Sequence, residues 1–251
     1  MISLAIIARN EEQTISKCID SASFFSDIIV LVNGSVDQTA QIAKQKGVRV
    51  ISYDGQLDFA EMRNTCLSHA KNDFVFFLDA DERMSPQIQH SIQELSSEPQ
   101  FSAYRVRRID HFWGKELHYG EVQSARNFGI IRLVKKGTGT FVGAVHEEWK
   151  TNQVVGLLEG NLLHFPHPTI SEFVDHINKY STIRASEAYK SGKTASILSF
   201  TLIPLGKFVY TYFFKAGFRD GAQGFVYSFL MSFHSFLYRS KLFLMRHEQK
   251  S

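Results

Sequence analysis

Residues 74–83 read FVFFLDADER, a run of five apolar side chains followed by three acids within four positions. In an extended segment Val75 and Phe77 face one side, and Phe74, Phe76 and Leu78 the other. Both faces are apolar, which is the pattern of a central parallel strand covered by helices on each side. Asp79 and Asp81 stand two apart, so they share a face and point together past the carboxyl end of the strand, while Ala80 between them is small and turns away. In open α/β sheets ligands bind in that space. Two unpaired carboxylates held close together repel, and a hard divalent cation relieves the repulsion. The plainer alternative is a solvated acidic turn that runs into a helix, with Ser85 as its cap and Pro86 in its first turn.

Around this stretch the first hundred residues alternate apolar runs with helical spacing. Strands are expected at Ile2–Ala8, Asp27–Val32, Val48–Tyr53 and Asp73–Leu78, and helices at Glu12–Ser23, Asp37–Lys46 and Phe59–Ala70. Such a βαβ series implies a mostly parallel sheet whose post-strand segments converge at one edge. Those segments are Arg9-Asn10-Glu11, Asn33-Gly34-Ser35-Val36-Asp37 and Asp79–Glu82, and all are polar. No G-x-G-x-x-G follows the first strand and no G-x-x-x-x-G-K-[ST] occurs, so a dinucleotide or P-loop site would lack its usual phosphate grip. Phosphate charge would instead meet a metal on the aspartates and a cation such as Arg63 in the helical AEMRN stretch, unless Arg63 is an ordinary helix-surface charge.

The composition is that of a globular chain enriched in phenylalanine, with 22 Phe in 251 residues. Cys18 and Cys66 have neither disulfide-framework nor metal spacing and read as buried or idle thiols of a reducing compartment. The N-terminus lacks a basic start and a cleavage site, so it reads as the first strand. The net charge of +3 hides an asymmetry: residues 1–175 carry 17 basic and 22 acidic side chains, residues 176–251 carry 11 and 3. A basic tail behind an acidic body implies an anionic partner, either a membrane surface or nucleic acid.

Four motifs occur in order: ARNEE after the first strand, VNGSVDQT after the second, AEMRN ahead of the fourth and LDADE at its end. Together they resemble the inverting family-2 glycosyltransferases of GT-A fold, over roughly the first 150 residues. The resemblance implies a nucleotide-sugar donor, with Ala8, Arg9 and Glu11 lining the nucleotide pocket and Asn33 at the base or ribose, where an Asp is usual. It places Asp79 near the ribose and metal with Ala80 beside it, and makes Asp81 the main ligand of a Mg2+ or Mn2+ ion that bridges the diphosphate.

After Leu95 the pattern shifts to short strand candidates, FSAYRVRRI, GIIRLVK and GLLEGNLLHF, and the resemblance to GT-A enzymes implies that this region forms the acceptor half. An inverting transfer needs one general base. FVGAVHEEW offers Glu147 or Glu148, with His146 beside them; an adjacent acidic pair also suits a solvated loop. The V-H-E triplet resembles the lipopolysaccharide-core β-glucosyltransferase branch, which points to Glu147. His146 and His164 are candidates for a third metal ligand, although a lone histidine is more often a hydrogen-bonded core residue.

Two apolar segments close the chain, ILSFTLIPLGKFVYTYFF (197–214) and GFVYSFLMSFHSFLYRSKLFLM (224–245). Pro204 and Lys207 in the first, and the stripe Ser228, Ser232, Ser235, Arg239 in the second, argue for interfacial helices rather than membrane spans. Residues 195–251 are thus expected on an anionic membrane surface rather than on nucleic acid; packing on the body or on a second subunit is the alternative. The expected organisation is a GT-A α/β domain at 1–168 (donor half 1–98, acceptor half 99–168) and a helical extension at 169–251. The function expected is transfer to a saccharide or lipid-linked acceptor of the bacterial envelope, at the cytoplasmic face of the plasma membrane. A nucleotidyltransferase would show a glycine-rich basic loop where ARNEE stands, and a catalytically dead membrane adaptor would not need Asp79, Asp81 and Glu147.

Overall fold

The computed structural model describes residues 1–95, 99–145, 147–166 and 169–247, which form two compact units: residues 1–109 with 127–164, and residues 110–126 with 165 onward.

In the first unit, β1 (Ile2–Ala8), α1 (Ile15–Asp20), β2 (Ile28–Asn33), α2 (Thr39–Gln45), β3 (Arg49–Tyr53), α3 (Phe59–His69) and β4 (Phe74–Asp79) alternate as expected. Along the chain then come β5 (Glu82–Met84), α4 (Pro86–Leu95), β6 (Ala103–Phe112), β7 (Lys115–Glu116), α5 (Gln123–Phe128), β8 (Ile130–Lys135), β9 (Thr140–Val142), β10 (Glu148–Lys150) and β11 (Val155–His164), of which β7 and most of α5 fall in the second unit. The main sheet runs β3-β2-β1-β4-β8-β6-β11-β5. Its first four strands are parallel, and antiparallel strands extend it from β8 onward.

Alternation along β4 separates two cores. Phe76 and Leu78 pack with Ile15 and Cys18 of α1 and Ile88 of α4, while Val75 and Phe77 pack with Met62 and Cys66 of α3 and with Phe141 and Trp149. Each of these large side chains contributes on the order of 1.5–3 kcal/mol by leaving water, so a one-residue slip of β4 is strongly disfavoured. Both cysteines are free and buried, and burial pushes the Cys66 thiol up to about 12.

Two helices start later than their apolar spacing suggests. Glu11 N and Glu12 N donate to Thr39 Oγ1 and Asp37 Oδ2, which draws residues 11–12 into a loop, and the Asp37 carboxylate accepts from Thr39 N, opening α2 there. Asp58 caps α3 by accepting from Glu61 N at 2.9 Å.

The second unit contains α6 (Ile170–Lys190), α7 (Ile197–Val209), which continues as a π-helical turn at 210–214, and α8 (Gly221–His247). Helices α6 and α8 lie side by side, with Phe173 against Tyr227 and Ala185 beside Leu242. Residues 110–126, placed by the sequence in the acceptor half, belong to this unit. They are tied down by buried Asp220, whose Oδ2 accepts from His118 N and Tyr119 N at 2.9 Å. Gly224 is required, because a Cβ there would meet Gly217 O at 2.0 Å. The segment Ile197–Phe214 is long and apolar enough to cross a membrane by length and composition, which Pro204 and Lys207 had argued against. Only 11% of it is buried. One side packs on α8, where Ser232 Oγ donates to Pro204 O and Phe208 meets Phe225; the other side is exposed at Leu198, Leu202, Leu205 and Phe214.

Candidate active site

Strand order reverses at β1: β2 lies on one side of it and β4 on the other. The carboxyl ends of β1 and β4 therefore flank a topological switch point, the position where open α/β sheets bind ligands. Ile7 is in register with Asp79, so the ARNEE and DADE segments leave the sheet side by side.

The loops after β1 and β2 clasp each other. Val36 N donates to Asn10 Oδ1 at 3.0 Å, Asn10 N to Ser35 Oγ at 3.0 Å, and Gln38 N to Glu12 Oε2 at 3.0 Å. Asn10 takes a left-handed backbone (φ 56°) to reach this geometry, a conformation that asparagine tolerates better than most residues. Arg9 donates to Asn33 Oδ1 at 2.9 Å, and Asn33 Nδ2 to Gly55 O at 3.3 Å. Asn33, expected at the base or ribose, is buried and holds Arg9 with its amide oxygen. Ala8 and Ala80 are buried in the core, so their side chains support the loops from beneath. Glu11 sits partly buried at this edge, and burial, with the charge of Asp81 added, pushes its carboxyl up to about 7.

Asp79 is not the unpaired carboxylate expected from the sequence. Its Oδ1 accepts from Arg63 Nη2 at 3.0 Å and from Arg132 Nη1 at 3.2 Å, and its Oδ2 from Arg132 Nη2 at 2.5 Å. Burial alone would raise this carboxyl, but Arg132 and then Arg63 hold it well below the usual range. Glu82 is fully buried; its Oε1 accepts from Arg132 Nη2 at 2.6 Å and lies 3.7 Å from Arg108 Nη1, and its Oε2 accepts from Asp79 N at 3.1 Å.

Arg63, expected as a cation for phosphate, is buried, with Nε 2.7 Å from Glu147 Oε1 and Nη2 on Asp79. Its guanidinium lies over the rings of Phe77 and Phe141, at 5.2 and 5.7 Å, which exclude water from the pair. Asn64, next in the motif, donates to Phe141 O and accepts from Phe141 N, both at 3.0 Å, and so clamps β9 to α3. Phe59 N donates to Ala144 O at 2.8 Å. The AEMRN helix therefore holds the segment that carries Glu147 from three positions. Glu148 points away: it is exposed and paired with Lys150. His146 lies outside the described residues.

Asp81 Oδ2 lies 3.2 Å from His164 Nε2. Burial pushes the Asp81 carboxyl up, but the charge and hydrogen bond of His164 outweigh this and hold it low. Strand pairing produces the contact, since His164 is in register with Glu82 across β11 and β5. Among the described residues no three His, Cys, Asp or Glu side chains converge as a cage made by protein alone; of the expected trio, Asp81 and His164 are in contact and Asp79 is turned to Arg63 and Arg132. A carboxylate beside an imidazole fits a divalent cation that takes its other ligands from phosphate oxygens.

Arg132 and Arg108 were not anticipated. Tyr104 pairs with Leu133 and Arg105 with Ile131, which makes Arg132 the extra residue of a β-bulge, a device that re-aims a side chain beside an active site. The signal was a single arginine inside the apolar run GIIRLVK.

The description "Glycosyl transferase family 2" belongs to a family model that matches residues 3–146. An uncharacterized glycosyltransferase of Rickettsia typhi is 31% identical over 264 residues, spanning 96% of this chain and 86% of its own. The lipopolysaccharide core biosynthesis glycosyltransferase LpsC of Rhizobium meliloti is 28% identical over 259 residues, spanning 100% of this chain and 94% of its own. Among solved structures, glucosyl-3-phosphoglycerate synthase from Mycobacterium tuberculosis, in complex with Mn2+, uridine-diphosphate-glucose and phosphoglyceric acid, is 25% identical over 44% of each chain, with a TM-score of 0.38, too partial a likeness to bear on the chemistry. Matched over more than half its length and carrying the switch-point sheet that the motifs imply, the chain belongs to glycosyl transferase family 2 and has the GT-A fold.

Proposed function

We propose that this chain is an inverting glycosyltransferase that moves a sugar from a nucleoside-diphosphate donor, a UDP-sugar, to a saccharide or lipid-linked acceptor of the bacterial envelope, as in lipopolysaccharide core synthesis. The observation that carries the proposal is the bridge formed by Arg63, which joins the carboxylate of Glu147 to that of Asp79 at the switch point. A base held there reaches an acceptor hydroxyl poised over a donor bound at the ends of β1 and β4.

Glu147 takes the proton of the acceptor hydroxyl as its oxygen attacks the anomeric carbon from the face opposite the diphosphate. Arg63 holds Oε1, so Oε2 is the oxygen that receives the proton. Arg132 and Arg63 fix Asp79 beside the donor, and the clasped loops after β1 and β2, with Arg9 and Glu11, form the wall of the nucleotide pocket. Asp81 and His164 would hold a Mg2+ or Mn2+ ion, which when bound supplies positive charge against the leaving diphosphate.

The second unit adds a membrane partner. Its exposed apolar α7 face and its excess of basic over acidic side chains suit an anionic bilayer, with the protein at the cytoplasmic face of the plasma membrane.

Isothermal titration of the purified chain with UDP-, GDP- and dTDP-sugars in the presence of Mn2+ tests the donor assignment. One UDP-sugar should bind, EDTA should weaken it, and Asp81→Asn should cost roughly tenfold or more in affinity with the melting temperature preserved. Binding that ignores both EDTA and Asp81→Asn overturns the metal assignment; binding confined to a GDP- or dTDP-sugar overturns the UDP assignment.

A further inference from the structure

We propose that Arg184 and Arg239, gathered on Tyr238, form a binding site for the phosphate of an anionic lipid headgroup. The proposal rests on the membrane association given above and names the contact that would make it specific.

Arg184 comes from α6, Tyr238 and Arg239 from α8. The two guanidinium carbons lie 4.5 and 5.3 Å from the centre of the Tyr238 ring. Among the described residues neither arginine pairs with a carboxylate. Arg239 is anchored through one tip nitrogen, Nη1 donating to Ser235 Oγ at 2.6 Å and to Ser235 O at 3.2 Å, which leaves the Nε–Nη2 edge to other acceptors. Lys241, two residues on, repeats the theme: its ammonium donates to Asn178 O, Asn178 Oδ1, Ser181 Oγ and Thr182 Oγ1, four oxygens without formal charge. Arg246 likewise donates to Tyr189 O and Lys193 O, so the α6–α8 seam collects four half-buried cations, and among the described residues none of them pairs with a carboxylate. Burial disfavours the charge on Arg239, and the nearby charge of Arg184 adds to that. An anion bound between the two arginines removes the imbalance.

A guanidinium fork matches carboxylate or phosphate, and phosphate has oxygens enough to meet two forks at once. An independent observation makes its source a lipid. Phe236 and Phe243, one turn to either side of Arg239, both pack on Phe200 of α7. Ile197 and Leu198, in the first turn of α7, are 61% and 68% exposed. The arginines therefore stand level with the start of an apolar surface that water covers at a cost. A phospholipid fills both requirements at once, its phosphate on the arginines and its acyl chains against α7.

The test uses the full chain and vesicles of phosphatidylcholine with and without phosphatidylglycerol. Arg184→Gln/Arg239→Gln is compared with Lys190→Gln/Lys193→Gln, which removes the same charge from exposed positions of the same unit. At high ionic strength long-range attraction is screened, so the arginine pair should then lower partition into phosphatidylglycerol vesicles by about tenfold, and the lysine pair by less than about twofold. Arg184→Lys/Arg239→Lys, which keeps charge and packing but loses the forks, should fall between them with an unchanged melting curve. Equal losses from the arginine and lysine pairs would overturn the site and leave general membrane attraction standing. Wild-type chain that ignores phosphatidylglycerol vesicles would overturn both. If wild type binds inorganic phosphate through the arginines while their replacement leaves vesicle partition untouched, the ligand is a free phosphate and the lipid assignment fails.

Discussion

The Nε–H of Arg63 donates to Oε1 of Glu147 at 2.7 Å, joining residues 84 apart in the chain. Through Nη2 the same guanidinium holds Asp79, so one buried cation spans the loop that carries Glu147 and the carboxyl end of β4. Arg63 and Arg132, with Arg108 at the margin, face Asp79, Glu82 and Glu147, three acids against three cations. Buried ion clusters of this kind add little net stability, but removal of one member strands the others.

Arg63→Lys should accordingly keep the charge and lose the two-sided grip. Turnover should fall by about one to two orders of magnitude, in line with loss of orientation of a catalytic group, with donor affinity little changed. Arg63→Met should destabilise the fold by about 3–5 kcal/mol, because Glu147 and Asp79 lose a buried partner. Denaturant melts and steady-state kinetics on the two variants check this. A fully active Arg63→Lys would show that the bridge does not position Glu147.

How much of this was legible in the sequence follows from the range of each signal. FVFFLDADER gave away β4 and its two-faced burial because strand alternation is a local pattern, and the two cores divide its residues as that pattern requires. The convergence of the loops after β1, β2 and β4 followed from the parallel order. The partners of the charged residues did not. Asp79 was expected to be unpaired because Arg132, 53 residues later, reaches it only through a β-bulge that no local pattern announces. The pairing of Arg63 with Glu147 was not legible either, because the two stand 84 residues apart. The exposed apolar face of α7 was visible as composition, whereas which side packs on α8 depends on tertiary contacts such as Ser232 with Pro204.

Glu11 sets a pH dependence. Its folded-state value of about 7 lies above the ordinary 4.5, so the native state binds more protons than the unfolded chain between those two pH values. Stability should therefore fall as pH rises from about 4.5 to about 7 and level off beyond, by roughly 3 kcal/mol from this group. Glu11→Gln should remove that fall: its melting temperature should exceed that of wild type at pH 8 and converge with it near pH 4.5. Parallel melting curves for the two proteins across this range would refute the assignment.

The exposed side of α7 should be dispensable for folding and needed for membranes. Leu205 and Phe214 are 61% and 78% exposed. Leu205→Glu/Phe214→Glu should change stability by no more than about 0.5 kcal/mol. It should also strip roughly 1.5–3 kcal/mol per side chain from vesicle partition. If the wild-type chain is instead a dimer that these changes dissociate, the face is a subunit interface.

The most direct measurement is release of nucleoside diphosphate from the bound donor by Glu147→Gln and Glu148→Gln, with donor affinity measured in parallel. Glu147→Gln should lose about 10²–10⁴-fold in turnover with donor affinity within about threefold of wild type, and Glu148→Gln, whose side chain is exposed and paired with Lys150, should stay near wild type. Wild-type turnover in Glu147→Gln, or collapse in Glu148→Gln alone, would contradict the account.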